Sequence, residues 1–376
     1  MEERKRVVQQ YQTGRYTISE LAQAFTVSRK TVYQLLKRVA AVGPEAYLPR
    51  SRAPRRHPNA TPPAVLRAKQ AHPTWGPLKL RPGGEELPAI VSAWPPPSTR
   101  RVILERAGLV RRRRVRGQAV GTGPPLTLPT GPNVVWSADF KGWFRTADGA
   151  RCDPATISDG YSRMLLACTI VPPKTVPVRA VFEHTFREYG LPLVLRTDNG
   201  APFASVGAGG LSRLAVWWVR LGITLERIAP GHPEQNGRHE RLHRTLKADC
   251  CHPPAATPAA QQARFAAWQA EYNTLRPHQA LGQTPPATHY QRSERLYPAR
   301  LPEVVYPDGM LVRRVRSRGE IRWQGRHIFL SEALIGETVG IRDGAQGWEV
   351  RFGPVYLGIL DTLGERLVKG SAPEQP

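Results

Sequence analysis

Three carboxylates between Val134 and Lys247 stand in three different local settings, and this restricts the fold of the 376-residue chain more than any other feature. Asp139 is the only charge in Val134-Val-Trp-Ser-Ala-Asp-Phe140, an apolar run with the length and composition of a buried strand. Asp198 closes Leu193-Val-Leu-Arg-Thr-Asp198, a short strand that runs into the turn formers Asn199-Gly200. Glu240 lies just inside the amphipathic helix Arg238–Lys247, which follows the helix-breaking Pro230-Gly-His-Pro233. Acids on a strand, at a strand end and on a helix converge only in the folded chain, and such convergence is how a two-metal phosphoryl-transfer site is built. Two divalent ions ~3.5–4 Å apart activate the attacking oxygen and stabilise the leaving one. Hard carboxylate oxygens with no Cys or His requirement suit Mg²⁺ or Mn²⁺ better than zinc. Each acid alone has a plainer reading, as a turn former or a solvated helix residue; the set of three is what points to chemistry.

Four motifs add to this in order: Trp136-Ser-Ala-Asp139-Phe, Arg196-Thr-Asp198-Asn-Gly200, the run from Pro233-Glu-Gln-Asn-Gly237 through Glu240 to Lys247, and Tyr272-Asn-Thr-Leu-Arg-Pro-His-Gln-Ala-Leu281. On these the chain resembles bacterial insertion-sequence transposases with a retroviral-integrase-like core. The resemblance implies a ribonuclease-H-like α/β core with Asp139, Asp198 and Glu240 as the catalytic, metal-holding triad. It also implies Mg²⁺ as cofactor, with Mn²⁺ able to substitute and no zinc expected. The chain departs from the family's commonest pattern in a longer gap between Asp198 and Glu240. The surplus falls in Ala201–Trp218 and reads as a glycine-rich surface loop, Gly207-Ala-Gly-Gly210, before an apolar helix, because lengthening a surface loop costs little.

Net charge supports the same partner. With 54 Lys and Arg against 30 Asp and Glu, a formal +24, the natural partner is a polyanion, DNA before an anionic membrane. No apolar run approaches the roughly 20 residues of a spanning helix and no signal-peptide core follows Met1, so a soluble cytoplasmic protein, nucleoid-associated when on DNA, is expected. Cys152, Cys168, Cys250 and Cys251 make no disulfide framework, and His243, Cys250, Cys251 and His252 lack the paired spacing of a zinc site.

The remaining domains are read outward from the core. Residues 1–50 contain a capping box, Thr17-Ile-Ser-Glu20, and a second N-cap at Ser28. Together these predict a helix-turn-helix whose second helix offers Arg29, Lys30, Thr31, Tyr33 and Gln34 to a major groove. Residues 51–62 form a basic proline-rich linker. Residues 63–116 form a second helical unit, winged-helix-like, with a helix capped by Ser98, faced by Val102, Ile103 and Ala107 and closed by Gly108; Arg81-Pro-Gly-Gly84 and Pro95-Pro-Pro97 interrupt it. Arg111, Arg112, Arg113 and Arg114 open onto a Gly/Pro connector, 117–132, and are expected to track DNA phosphates. The core spans 133–290, with strands over Val134–Phe140, Arg151–Ser158, Met164–Val171, Leu193–Thr197 and Thr224–Ile228, helices over Val178–Tyr189 and Leu211–Leu221, and a closing helix over 258–276. Asp153 and Asp159 are read as turn or surface residues. Short alternating strands over 301–365 predict a small SH3-like β-barrel, and 366–376 a disordered tail.

On the Glu240 helix, His243, Arg244 and Lys247 fall at i+3, i+4 and i+7, so that one face carries an acid for metal and bases, Arg244 and Lys247, for phosphate. The expected function is that of a transposase: metal-dependent cleavage at element ends and transfer of the 3′ ends into target DNA by a dimer or larger homo-oligomer. Two alternatives stay open, a sequence-specific DNA-binding regulator or catalytically retired transposase, and a nuclease that cuts without joining.

Overall fold

The computed structural model describes residues 2–48, 62–80, 94–110, 126–229, 232–361, 363, 365–368 and 370. The chain divides into two units, Met1–Ala60 and Thr61–Pro376. In the first, α1 (Glu2–Gln12), α2 (Ile18–Ala24) and α3 (Arg29–Val42) enclose a small core of Val7, Leu21, Ala22 and Val32. The capping box at Thr17 and the Ser28 cap form as the sequence predicts, satisfying backbone N–H groups at the starts of α2 and α3. The turn between them puts Thr26 at φ 53, a left-handed conformation unusual outside glycine. Arg29, Lys30, Thr31, Tyr33 and Gln34 all lie exposed on α3, Tyr33 by 65%.

The second unit begins with α4 (Pro62–Ala71) and α5 (Pro97–Arg106), which share a cluster of Val65, Ala68, Trp75, Leu80 and Leu104. Two expectations for α5 need correction. Its N-cap is Pro96, with Pro97 in the first turn, so Ser98 is already helical and caps nothing. The inward face is Arg100 and Leu104 with Ile103 packed partly buried beside them, while Val102 and Ala107 are exposed. The described residues of this region contain no strand, so no wing is seen among them. Arg111 to Arg114, the linker 51–61 and residues 81–93 lie outside the described residues.

The core sheet is formed by β1 (Val135–Phe140), β4 (Pro154–Asp159), β5 (Leu165–Ile170), β6 (Val194–Thr197) and β7 (Thr224–Arg227), in the order β5-β4-β1-β6-β7. The expected strand Arg151–Ser158 is in fact two elements. Arg151–Cys152 (β3) pairs with Phe144–Arg145 (β2) in a separate hairpin, and the sheet strand restarts at Pro154. β1 runs antiparallel to β4 and parallel to β6, and β6 parallel to β7. Helices α6 (Thr175–Tyr189) and α7 (Arg213–Arg220) cover one face through Phe182, Phe186, Trp217 and Trp218. Helices α8 (Gly237–Cys250) and α9 (Pro258–Thr274) pack with Leu165 and Cys168 of β5 through Leu242, Leu246, Phe265, Trp268 and Tyr272. Leu275 is exposed beyond the helix end.

The C-terminal part is a nearly closed barrel of seven strands: β8 (Leu311–Arg314), β9 (Glu320–Trp323), β10 (Arg326–Phe329), β11 (Thr338–Gly344), β12 (Gly347–Phe352), β13 (Val355–Asp361) and β14 (Arg366–Val368), in the order β8-β11-β12-β13-β14-β10-β9. β14 falls in the segment expected to be a disordered tail; it joins β13 antiparallel and β10 parallel, and so links the two halves of the barrel. The surplus loop is likewise not a free surface loop. Gly209, at φ +59, lies so close to the barrel that a Cβ there would be 3.0 Å from both Val355 and Leu357. Arg220 pairs with Glu337 at 3.2 Å, and one continuous hydrophobic cluster runs from the core sheet through Trp217 and Trp218 into Val350 and Phe352. The insertion thus seats the barrel on the core.

Candidate active site

Asp139 lies near the end of β1, where its register partner on β4 is Thr156. The parallel β6 aligns Ala138 with Thr197, and one further step along both strands brings Asp198 beside Asp139. Asp198 leaves the strand in an Asx turn, its Oδ1 accepting from Gly200 N at 3.2 Å. A Cβ at Gly200 would stand 3.1 Å from Asp198 Oδ2, so a glycine there keeps the carboxylate clear. Glu240 comes from the first turn of α8 and is exposed.

Asp139 feels the other two carboxylates. Burial chiefly, then the charge of Asp198 and, less, that of Glu240, push the Asp139 carboxyl up to about 7, against the Asn236 side chain, which donates Nδ2–H to Asp139 Oδ2 at 3.0 Å. A buried carboxylate raised first by desolvation and then by two neighbouring acids is a position that added positive charge would stabilise. The charges of Asp198 and Glu240 both act on Asp139, and hard carboxylate oxygens would suit a divalent ion, while the possible ligand atoms that lie within 4.8 Å of one another are those of Asp139, His239 and His243.

Sequence reasoning placed His243 on the phosphate-facing stripe of α8. In the structure only Glu240, Arg244 and Lys247 are exposed there; His243 turns inward with His239, which is 2% exposed. Both imidazoles reach Thr156 Oγ1 from Nε2 at 2.7 Å, and that hydroxyl donates to the Asp139 carbonyl oxygen at 3.1 Å. His239 Nδ1 meets Ser158 Oγ at 3.2 Å. Burial lowers both imidazoles, His239 well below its ordinary value and His243, aided by the Lys141 charge, down to about 4. The i, i+4 spacing of two histidines beside the acid was the available signal, and it loses its meaning until β4 is known to lie beneath α8.

Asp159 also departs from its expected surface role. It is 1% exposed and accepts from Asn133 N at 2.8 Å and from Ser162 N and Oγ at 2.7 Å each, tying the start of β1 to the β4–β5 turn. Asp153 pairs with Arg151 at 2.7 Å. Cys250 and Cys251 are buried in the α8–α9 cluster, away from any metal role with His243.

A five-stranded mixed sheet with the acids at adjacent strand ends and on a covering helix defines a ribonuclease-H-like core of the integrase type. The family models agree. Integrase core domain models match residues 129–233 and 221–286, and a helix-turn-helix domain model matches residues 3–55. A 31.7 kDa uncharacterized protein of insertion element IS407 from Burkholderia multivorans is 33% identical over 190 residues, covering 49% of this chain and 65% of that protein. A 39.2 kDa uncharacterized protein of insertion element IS476 from Xanthomonas euvesicatoria is 29% identical over 180 residues, 47% of this chain and 50% of that protein. The chain thus spans one half to just under two thirds of the length of these curated relatives. Among solved structures, the catalytic core of BIV integrase matches 42% of this chain and 93% of its own at 20% identity and a TM-score of 0.33. The HTLV-2 integrase catalytic core, in complex with magnesium, matches 43% of this chain and 99% of its own at 16% identity and a TM-score of 0.32. The chain thus matches integrase core domain and helix-turn-helix domain models and is similar to proteins of bacterial insertion elements. Among its described residues no helix is long and apolar enough to cross a membrane.

Proposed function

We propose that the chain is a transposase, a polynucleotidyl transferase that cleaves DNA at the ends of its element and joins the liberated 3′ ends to target DNA. The observation that supports this reading is that the charges of Asp198 and Glu240 act on the buried Asp139 carboxyl, which burial and these neighbours push up to about 7. Asp139, Asp198 and Glu240 would hold Mg²⁺, with Mn²⁺ able to substitute. Bound there, the ions activate the attacking oxygen and stabilise the leaving one. The residues of the chain orient the reactants: the Asn236 amide fixes the Asp139 carboxylate, and Arg244 and Lys247, exposed on α8 beside Glu240, hold phosphates flanking the cleaved bond. Water attacks the end phosphodiester first, and the new 3′-hydroxyl then attacks the target strand. The displacement needs no protein nucleophile, so no Ser, Tyr or Cys is assigned one.

Recognition of the ends falls to α3, through Arg29, Lys30, Thr31, Tyr33 and Gln34, with Arg111, Arg112, Arg113 and Arg114 following the backbone. Pairing two ends in one complex implies a homo-oligomer. The test is strand joining by purified protein on a plasmid carrying the element's flanking ends, with Mg²⁺, Mn²⁺ or EDTA, beside Glu240→Gln. Metal-dependent joining that is lost in the variant supports the proposal. Specific binding without nicking or joining in either metal replaces it with a DNA-binding regulator or retired copy, and nicking without joining replaces it with a nuclease.

A further inference from the structure

The two histidines beneath α8 sort themselves by hydrogen-bond accounting. Thr156 Oγ1 carries one proton, and that proton is donated to the Asp139 carbonyl oxygen at 3.1 Å. The hydroxyl's two remaining contacts, to Nε2 of His239 and of His243 at 2.7 Å each, must therefore be donated by the imidazoles, since a hydroxyl offers one donor and two acceptor sites. Both rings carry their proton on Nε2. His239 is then spent: its Nδ1 accepts from Ser158 Oγ at 3.2 Å. His243 is not. Its Nε2 proton is given to Thr156, and its Nδ1 stands 4.0 Å from Asp139 Oδ2.

That distance is too long for a hydrogen bond. It is close to the sum of one metal–nitrogen and one metal–carboxylate bond, each ~2.0–2.2 Å. Asp139, His239 and His243 offer donor atoms that all lie within 4.8 Å of one another. The hydroxyl contacts remove His239 from that set and leave Asp139 with His243. Thr156 would act as the outer partner that fixes the ring's tautomer and its aim, as partners of metal-binding histidines do.

We propose that His243 Nδ1 is a direct ligand of the divalent cation held at Asp139, so that one metal position has a nitrogen donor as well as carboxylate oxygens. This rests on the reading of Asp139 as a metal ligand. Its chemical consequence is selectivity. An imidazole moves the site away from Mg²⁺ and toward Mn²⁺, Co²⁺ and Zn²⁺, ions that accept nitrogen more readily.

The experiment is pulsed electron paramagnetic resonance of Mn²⁺ bound to the full chain, with calorimetric Mn²⁺ and Mg²⁺ titrations of the wild type, Asp139→Asn and His243→Gln. The expected result is a directly coordinated ¹⁴N coupling in the wild type that changes on ¹⁵N-histidine labelling and is lost in His243→Gln. In that variant Mn²⁺ affinity should fall about tenfold or more, with Mg²⁺ affinity changing far less. Should His243→Gln not fold, the labelled wild type decides alone. Mn²⁺ binding that depends on Asp139 but shows no nitrogen coupling overturns the ligation by His243 and leaves the transposase reading intact. Coupling that persists in His243→Gln assigns it to another imidazole and also overturns the proposal. Mn²⁺ binding that is absent, or indifferent to Asp139→Asn, overturns both this proposal and the metal-holding triad.

Discussion

Asp139→Asn tests the electrostatics of the site without DNA. In the metal-free fold the carboxyl is raised from its ordinary 3.8 to about 7, by burial first and by Asp198 and Glu240 after it. In the unfolded chain it ionises near 4. The folded-state value is the higher one, so ionisation favours the unfolded chain. Stability at this position is full below about pH 4 and is lost as pH rises toward about 7. Each pH unit in that window is worth ~1.4 kcal/mol, which puts the upper bound on the cost of the ionised carboxylate at ~4 kcal/mol; water entry and relaxation reduce it to about 2. Asn keeps an oxygen for the Asn236 amide and removes the charge. In EDTA at pH 8 the variant should therefore melt several degrees above the wild type, and the gain should shrink toward zero at pH 4.5. Mn²⁺ should raise the melting temperature of the wild type by mass action and leave the variant nearly unmoved. Scanning calorimetry at the two pH values, with and without metal, measures all of this. A variant less stable than the wild type at pH 8, or equally shifted at both pH values, would refute the reasoning.

Other perturbations separate the parts. Arg244→Ala should weaken binding to end DNA and lower the slope of log affinity against log salt by about one, with Mn²⁺ binding unchanged in calorimetry; loss of metal binding would contradict this division of labour. Neutralising Arg111, Arg112, Arg113 and Arg114 together should flatten the same slope by up to about three to four, and an unchanged slope would remove them from the DNA path. Asp159→Ala strands the Asn133 and Ser162 donors and should cost about 2–4 kcal/mol in urea unfolding, whereas a surface aspartate would cost almost nothing. Gly209→Val forces a side chain against Val355 and Leu357 at a left-handed φ; protease digestion should then release the barrel from the core, and an unchanged pattern would argue against the loop as its seat.

Legibility followed the range of the interactions. Thr17 and Ser28 were readable as caps because each satisfies a backbone N–H three residues away. The β1 acid was readable because a single charge in an apolar run stands out whatever surrounds it. Asp159 was misread because Asp159-Gly160 is a turn signature, while Asn133, one of the partners that bury its carboxylate, lies 26 residues upstream. β14 was lost for the same reason: three residues carry little pattern, and their partners Phe329 and Asp361 come from two different strands. Ser98 gave a good local cap signal that a neighbouring Pro97 at the first helical turn overrode. The loop 201–218 is glycine-rich in sequence and so reads as slack. Only the barrel packed against Gly209 shows why a side chain is unwelcome there.

Helix α8 carries the division between stability and chemistry, and a pair of variants can expose it. Leu242, Leu246 and Cys250 face the α9 cluster, His239 and His243 face β4 and β1, and Glu240, Arg244 and Lys247 face outward. Leu246 is fully buried, so Leu246→Ala should cost about 2–5 kcal/mol through the cavity it leaves, while removing no charge and no ligand. Glu240→Gln is nearly isosteric at an exposed position and should change stability by less than about 0.5 kcal/mol. If the helix merely needed to be in place, both variants would lose strand joining in proportion to their loss of fold. If Glu240 holds a metal, Glu240→Gln loses joining at wild-type stability, and Leu246→Ala keeps it at temperatures where the fold persists. Joining by Glu240→Gln at the wild-type rate would take the third acid out of the site, whatever the fate of the other two.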